Sequence, residues 1–249
     1  MYSLYLKLFP WPEPCRVPVL GANNAALLPG DKLGVGNSDF KELAASRFSL
    51  VDKSILIAEL CDVGDKVTLV LRPRRFGKTT NLSMLRLFFE RIDGESKHEH
   101  ELRRALFGSM KIAKERPDVM MNEFGKYPVV FLSLKDVTGK TWNDMSRLMR
   151  TTISQIYNEH TYLREHLNIN EKAKFDRIVN EDSSQSFEFA LRELMVFLAR
   201  YHQQKCIVLI DEYDAPISSA YHNGYYEDAM HFLRPMLSSL LKFFGKGRV

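Results

Sequence analysis

The stretch from Lys66 to Thr80, Lys-Val-Thr-Leu-Val-Leu-Arg-Pro-Arg-Arg-Phe-Gly-Lys-Thr-Thr, constrains the fold more than any other part of the chain. Val67 to Leu71 is an apolar, β-branched run that reads as a buried strand. Pro73 ends it, because proline lacks a backbone donor and holds Arg72 extended. Gly77-Lys78-Thr79 comes next. Leu82, Leu85, Phe88, Phe89 and Ile92 then fall on one helical face. Strand, loop, Gly-Lys-Thr and helix follow one another in the order of a phosphate-binding loop.

The physical basis of that order is the start of the helix. It offers backbone N–H groups and the positive end of the helix dipole to an anion. Gly77 lets the backbone come close to a phosphate oxygen. Lys78 supplies a point charge for the terminal phosphates. The Thr79 hydroxyl is a ligand of the kind magnesium takes. Arg72 stands where the general pattern has its first glycine.

A second stretch lies far downstream. Cys206-Ile-Val-Leu-Ile-Asp-Glu212 is an apolar run ending in two carboxylates, as expected of a strand buried on both faces of a parallel sheet. Ligands of open parallel sheets sit beyond the carboxyl ends of the strands, so Asp211 and Glu212 are expected on the same rim as Lys78. The pair resembles a Walker B motif. Asp211 is expected to hold magnesium and Glu212 to orient and deprotonate an attacking water.

Arg72-Pro-Arg-Arg-Phe-Gly-Lys-Thr79 and Leu209-Ile-Asp-Glu-Tyr-Asp-Ala-Pro216 together resemble the AAA-ATPase-like family, whose members carry R-P-R-R-F-G-K-[ST] and D-E-Y-D-x-P segments. Leu33 to Phe40 and Leu50-Val-Asp-Lys-Ser54 are similar to the family's entry segment, with Ser54 where threonine is usual. The resemblance runs over about residues 33–249. It implies an α/β fold: a P-loop NTPase three-layer sandwich on a parallel central sheet. It implies ATP and Mg2+ as ligands, with Arg74, Arg75, Phe76, Gly77, Lys78, Thr79 and Thr80 on the nucleotide, Thr79 and Asp211 on the metal, and Glu212 and Lys78 in catalysis. Asp214 is the alternative base. Phe40 or the Val51–Ser54 stretch is placed to touch adenine or simply to pack on the sheet. Three other readings stand beside ATP hydrolysis: a non-hydrolysing nucleotide-dependent interaction module, a small-molecule phosphotransferase, and a nucleic-acid-processing component. The last rests on analogy with members that carry a nuclease-like domain, which this chain has no room for.

The rest of the chain sets the frame. Its 249 residues suit one sizeable domain with an appendage. Residues 1–32, broken by Pro10, Pro12, Pro14, Pro18 and Pro29, are expected to be an irregular extension of a domain over 33–249. A net charge of +4 is too mild to argue for nucleic acid. Cys15, Cys61 and Cys206 are widely separated, and no His/Cys spacing points to zinc. No apolar run reaches the roughly 18 residues that cross a bilayer, so no membrane partner is expected and the cytoplasm is the default. Tyr127 to Leu134 reads as another internal strand. Helices are expected at about 99–107, 141–163 and 171–179, and another from Ser186 to Tyr201. Tyr226, Met230, Leu233, Leu237, Leu240, Leu241 and Phe244 form a last helical stripe, bent at Pro235.

No apolar run follows Phe244, whereas the resemblance calls for one more strand between the two motif strands. The expectation is therefore a C-terminally truncated ATPase domain whose sheet has a gap at its centre or whose two motif strands pair directly. Such a domain is expected to bind nucleotide at most weakly and hydrolyse it poorly, and either to need a partner chain or an oligomer or to be an incomplete gene product.

Overall fold

Two runs, Val129–Ser133 and Ile207–Asp211, form neighbouring parallel strands, with Val129 beside Ile207 and Ser133 beside Asp211. Alternation along them splits the interior into two layers. Val130, Leu132, Val208 and Ile210 face one apolar cluster, while Val129, Ile207 and Leu209 face the other. The computed structural model describes residues 2–6, 26–28, 38–45, 50–64, 67–71 and 76–245. In chain order the strands are β1 (Tyr2–Leu6), β2 (Ala26–Leu28), β3 (Leu50–Asp52), β4 (Val67–Leu71), β5 (Val129–Ser133) and β6 (Ile207–Asp211). The α-helices are α1 (Phe40–Ala45), α2 (Ile55–Val63), α3 (Lys78–Phe89), α4 (Lys97–Gly108), α5 (Lys111–Glu115), α6 (Pro117–Glu123), α7 (Trp142–Glu159), α8 (Ile169–Val179), α9 (Ala190–His202), α10 (Ala215–Asn223) and α11 (Tyr226–Gly245). The architecture is α/β, with helices on both faces of a small sheet.

Helices α1 to α6 cover one face. Phe40, Ile57, Leu82, Leu85, Phe88, Phe107 and Ile112 are nearly or fully buried there, and Phe88 meets Phe107 and Phe124 edge to face. Helices α7 to α11 cover the other face through residues such as Met149, Ile153, Leu194, Leu198, Leu233 and Met236. Burying each such side chain is worth about 1.5–3 kcal/mol. The helices start where local chemistry provides caps. Ser96 and Glu99 form a reciprocal capping box on α4, Asn168 and Glu171 form another on α8, and the Thr141 hydroxyl accepts from the Asp144 N–H at the start of α7. The expected stripe on α3 is buried from Leu82 to Phe89, while Ile92 lies past the helix end and is exposed.

The main sheet has the order β4-β1-β6-β5. Strand β1 is antiparallel to both neighbours: Tyr2 to Leu6 pair with Leu71 to Val67, and Leu4 to Leu6 pair with Ile210 to Val208. Three strands thus run one way and the central one runs the other. This corrects two expectations. The sheet is mixed rather than parallel throughout, and residues 2–6 and 26–28 are strands rather than irregular chain. The other residues of 1–32 lie outside the described ones. The physical reason is the slot between β4 and β6. Left open, it would leave two rows of backbone donors and acceptors unpaired in the interior. Tyr-Ser-Leu-Tyr-Leu supplies the ladder, and its direction is immaterial to backbone pairing. The expected gap is therefore not empty: the two motif strands do not pair with each other, and β1 lies between them.

Smaller differences have local causes. Helix α9 begins after Phe189 rather than at Ser186, whose hydroxyl turns to the Glu188 carboxylate. The expected long helix over 141–163 ends at Glu159 and passes into a 3-10 turn at Thr161–His166. Pro235 lies inside α11, at the cost of one backbone donor.

Candidate functional site

Strands β4 and β6 point the same way, so their carboxyl ends share one rim. At that rim the chain leaves Phe76, which is 55% exposed, and turns at Gly77 into α3. Gly77 has φ +74°, a left-handed conformation that side-chain-bearing residues adopt with strain. Its carbonyl accepts the first helical bond, from the Asn81 N–H at 2.9 Å. Lys78 is the first residue of α3 and is 7% exposed. Thr79 and Thr80 complete the turn, both half-buried. The N–H groups of a first helical turn have no intrahelical acceptor and point out of the helix end.

Asp211 is the last residue of β6 and is 2% exposed. Its backbone carbonyl accepts from the Leu134 N–H at 3.0 Å, which ties it to the end of β5. Its side chain spans the rim: Thr79 Oγ1 donates to Asp211 Oδ2 at 2.7 Å. Oδ1 accepts from the Glu212 N–H at 3.1 Å. Glu212 has φ +52°, rare for a residue with a side chain and costing about 1 kcal/mol or more. That twist turns the chain out of β6, the Glu212 carbonyl accepts from the Ala215 N–H at 3.0 Å, and α10 starts after Asp214. The backbone thus holds the Glu212 side chain at the strand end, one residue beyond the carboxylate that meets Thr79.

Of the residues singled out from the sequence, Gly77, Lys78, Thr79, Thr80, Asp211 and Glu212 lie at this rim, and Thr79 and Asp211 touch. Arg74 and Arg75 lie outside the described residues. Phe76 takes part through its backbone, because its carbonyl accepts from Lys53 Nζ at 3.1 Å. Sequence reasoning missed Lys53 as an individual residue. It also missed the anchor that carries it. Asp52, 3% exposed, accepts from the N–H groups of Ser54 at 2.9 Å and Lys111 at 2.8 Å. Ser54, fully buried, accepts on its hydroxyl from the Ile112 N–H at 3.0 Å. The Asp-Lys-Ser order was visible, but its partner 58 residues on was not. Phe40 is buried against Phe107, and its N–H donates to Ser83 Oγ of α3 at 3.0 Å, so it packs on the sheet-facing helices.

A hydroxyl and a carboxylate are both hard oxygen donors, which suits a magnesium ion that takes few protein ligands and keeps several waters. Among the described residues no group of three or more His, Cys, Asp or Glu side chains forms a metal cage. No described helix is long and apolar enough to cross a membrane.

A Gly-Lys-Thr turn entering a helix and an acidic strand end are thus brought into contact at one rim of an α/β sheet. Residues 34–246 match the family described as predicted AAA-ATPase, and the chain belongs to this AAA-ATPase-like family. No curated protein and no solved structure matches the chain.

Proposed function

We propose that the chain binds ATP with magnesium at the rim formed by Gly77–Thr80 and Asp211–Glu212, and that it is built for ATP hydrolysis. The observation that carries this reading is the 2.7 Å contact between Thr79 and Asp211. It joins two segments 132 residues apart, and it pairs the residue types that magnesium-dependent phosphoryl transfer needs. In this reading the N–H groups of the α3 start and the Lys78 ammonium receive the phosphates, with Arg74, Arg75 and Phe76 completing the loop. Thr79 and Asp211 hold the magnesium, which when bound supplies charge neutralisation on the phosphates. Glu212 accepts a proton from the attacking water and orients it. Residues 33–249 make the domain, and residues 1–32 are an extension that lends it β1.

A second reading has its own observation. Strand β1 brings its beginning, not its end, to the rim, since Tyr2 pairs with Leu71. A site with this central strand binds nucleotide and turns it over slowly, acting as a nucleotide-dependent interaction module. Phosphotransfer to a small hydroxyl compound would use the same Glu212 base.

Calorimetric titration with ATP and magnesium tests the shared core of these readings. Lys78→Ala is expected to weaken binding by about tenfold to a hundredfold, the worth of a lost charge-assisted contact of about 1.5–3 kcal/mol. Unchanged affinity would remove the loop from the site. Phosphate release then separates the two readings. Glu212→Gln should keep binding and suppress turnover; turnover at the parent rate would assign the base to another residue, with Asp214 next in line.

A further inference from the structure

We propose that Lys53 is a second phosphate-binding cation of this site, held at the loop by its two buried neighbours and selecting nucleoside di- and triphosphates over monophosphates. The inference rests on the nucleotide-binding reading above and extends it to a residue outside the loop and the acidic strand end.

Three observations carry it. The Lys53 ammonium reaches the loop where the phosphate cradle begins: Nζ donates to the Phe76 carbonyl at 3.1 Å and lies 3.6 Å from the position of a Cβ on Gly77. Its backbone is fixed on both sides. Asp52 and Ser54 accept N–H groups from the start of α5, and the Lys53 carbonyl accepts the Leu56 N–H at 3.0 Å as α2 begins. Finally, the anchors are themselves costly to build. A buried carboxylate and a buried hydroxyl stay in the interior only because these N–H groups satisfy them. Such an arrangement aims one flexible side chain from a rigid base, whereas an ordinary surface lysine swings freely.

The chemistry follows from the ammonium. It is a compact charge with three donors, so it can hold a loop carbonyl and a phosphate oxygen together. Lys78 is fixed in the first turn of α3, while Lys53 arrives from a separate segment. Two cations on one polyphosphate make affinity rise with the number of phosphate charges. Removing one of them should therefore cost most for ATP, less for ADP and least for AMP.

The test uses the full chain and calorimetric titration of ATP, ADP and AMP with magnesium, for the parent, Lys53→Met, Lys53→Gln and Lys53→Arg. Thermal unfolding without nucleotide is measured alongside. Lys53→Met is expected to weaken ATP by about tenfold, the loss of one charge-assisted contact. The preference for ATP over AMP should shrink by a similar factor, the unfolding temperature should stay within about 2 °C of the parent, and Lys53→Arg should restore most of the preference. Unchanged ATP affinity in Lys53→Met would overturn the proposal. So would an equal loss for ATP and AMP, or unfolding of both the Met and Gln variants, since each marks a latch that only shapes the loop. If the parent itself binds no nucleotide, the failure belongs to the nucleotide-binding reading. A parent that binds ATP beside a Lys53 variant that binds it equally well isolates failure of the inference.

Discussion

Strand β6 has all five residues buried and pairs in parallel with β5, whereas β4 carries the exposed Leu69 and, among the described strands, pairs with β1 alone. These strands deliver the two halves of the site, and the halves are fixed differently. The acidic half sits on a strand flanked on both sides and covered by helices on both faces. The loop half sits at a sheet edge; the apolar stripe of α3 packs on β5 and β6, and further ties join it to the rest: the β1 ladder, the Thr79–Asp211 contact, and a seam at the other end of α3. In that seam Arg86 donates to Glu159 at the end of α7 at 3.1 Å, and Asp93 lies 3.6 Å from His202 at the end of α9. Both halves are positioned by elements far away in the chain, the acidic half by ladders on both sides of its strand and the loop half by one ladder, helix packing and a few polar ties.

Breaking β1 is the most direct attack on this difference. Leu4 pairs with Leu69 on one side and Ile210 on the other, so a proline there loses a ladder bond whichever way its N–H points. Leu4→Pro is expected to cost about 3 kcal/mol or more. It should also abolish ATP binding, because Thr79 and Asp211 no longer approach. Hydrogen exchange should show β4 and α3 losing protection while β5 and β6 keep most of theirs. A Leu4→Pro variant that melts and binds like the parent would remove β1 from the account of how the halves are joined.

The anchor under Lys53 is the next largest. Asp52→Ala leaves the Ser54 and Lys111 N–H groups without their buried acceptor. At about 1–3 kcal/mol for each unsatisfied buried group, the expected loss is about 3 kcal/mol in urea unfolding. The effect falls on the loop half, so ATP affinity should drop together with stability. An Asp52→Ala chain as stable as the parent would mean that the start of α5 caps itself in some other way.

What the sequence made legible is the local part of both halves, and what it hid is their distant partners. Strand β6 and the acids after it could be read because a continuous apolar run ending in Asp-Glu is a local signal. Strand β4 and helix α3 could be read because a β-branched run, a proline, Gly77 and a helical stripe stand in one window. Strand β1 could not, because five residues ahead of a proline-rich stretch carry no mark of partners near positions 69 and 210. The Lys53–Phe76 contact was hidden by a separation of 23 residues along the chain, and the left-handed twist at Glu212 by the fact that sequence reports side chains and not φ. The start of α9 was misread at Ser186, since a serine hydroxyl satisfies a neighbouring carboxylate as readily as a helix N–H.

The last expected effect is confined to acid pH and concerns the seam at the far end of α3, where the halves meet a second time. His160 follows α7 and contacts Tyr162, whose hydroxyl lies 3.4 Å from His160 Nδ1. Burial, then the nearby Arg86 charge and His202, push its pKa down from 6.5 to about 4, and Asp93 offsets this only partly. In the unfolded chain the imidazole takes its proton near pH 6.5; in the folded chain it does so only near pH 4. Unfolding therefore binds a proton between those values, and stability is lost as pH falls from 6.5 toward 4. The contribution grows to about 3 kcal/mol at the acid end of that window and vanishes above it. His160→Gln should flatten the fall by that amount relative to the parent, with equal behaviour above pH 7. Urea unfolding at a series of pH values reads the difference directly. Carboxylates titrating in the same window contribute equally to both proteins and cancel in the comparison. If the seam joins the halves, His160→Gln should also slow the acid-induced loss of protection in α3, a helix on the other side of the sheet. Identical pH profiles for parent and variant would mean that the seam takes up the proton without strain, leaving β1, the Thr79–Asp211 contact and the packing of α3 on the sheet to hold the loop half.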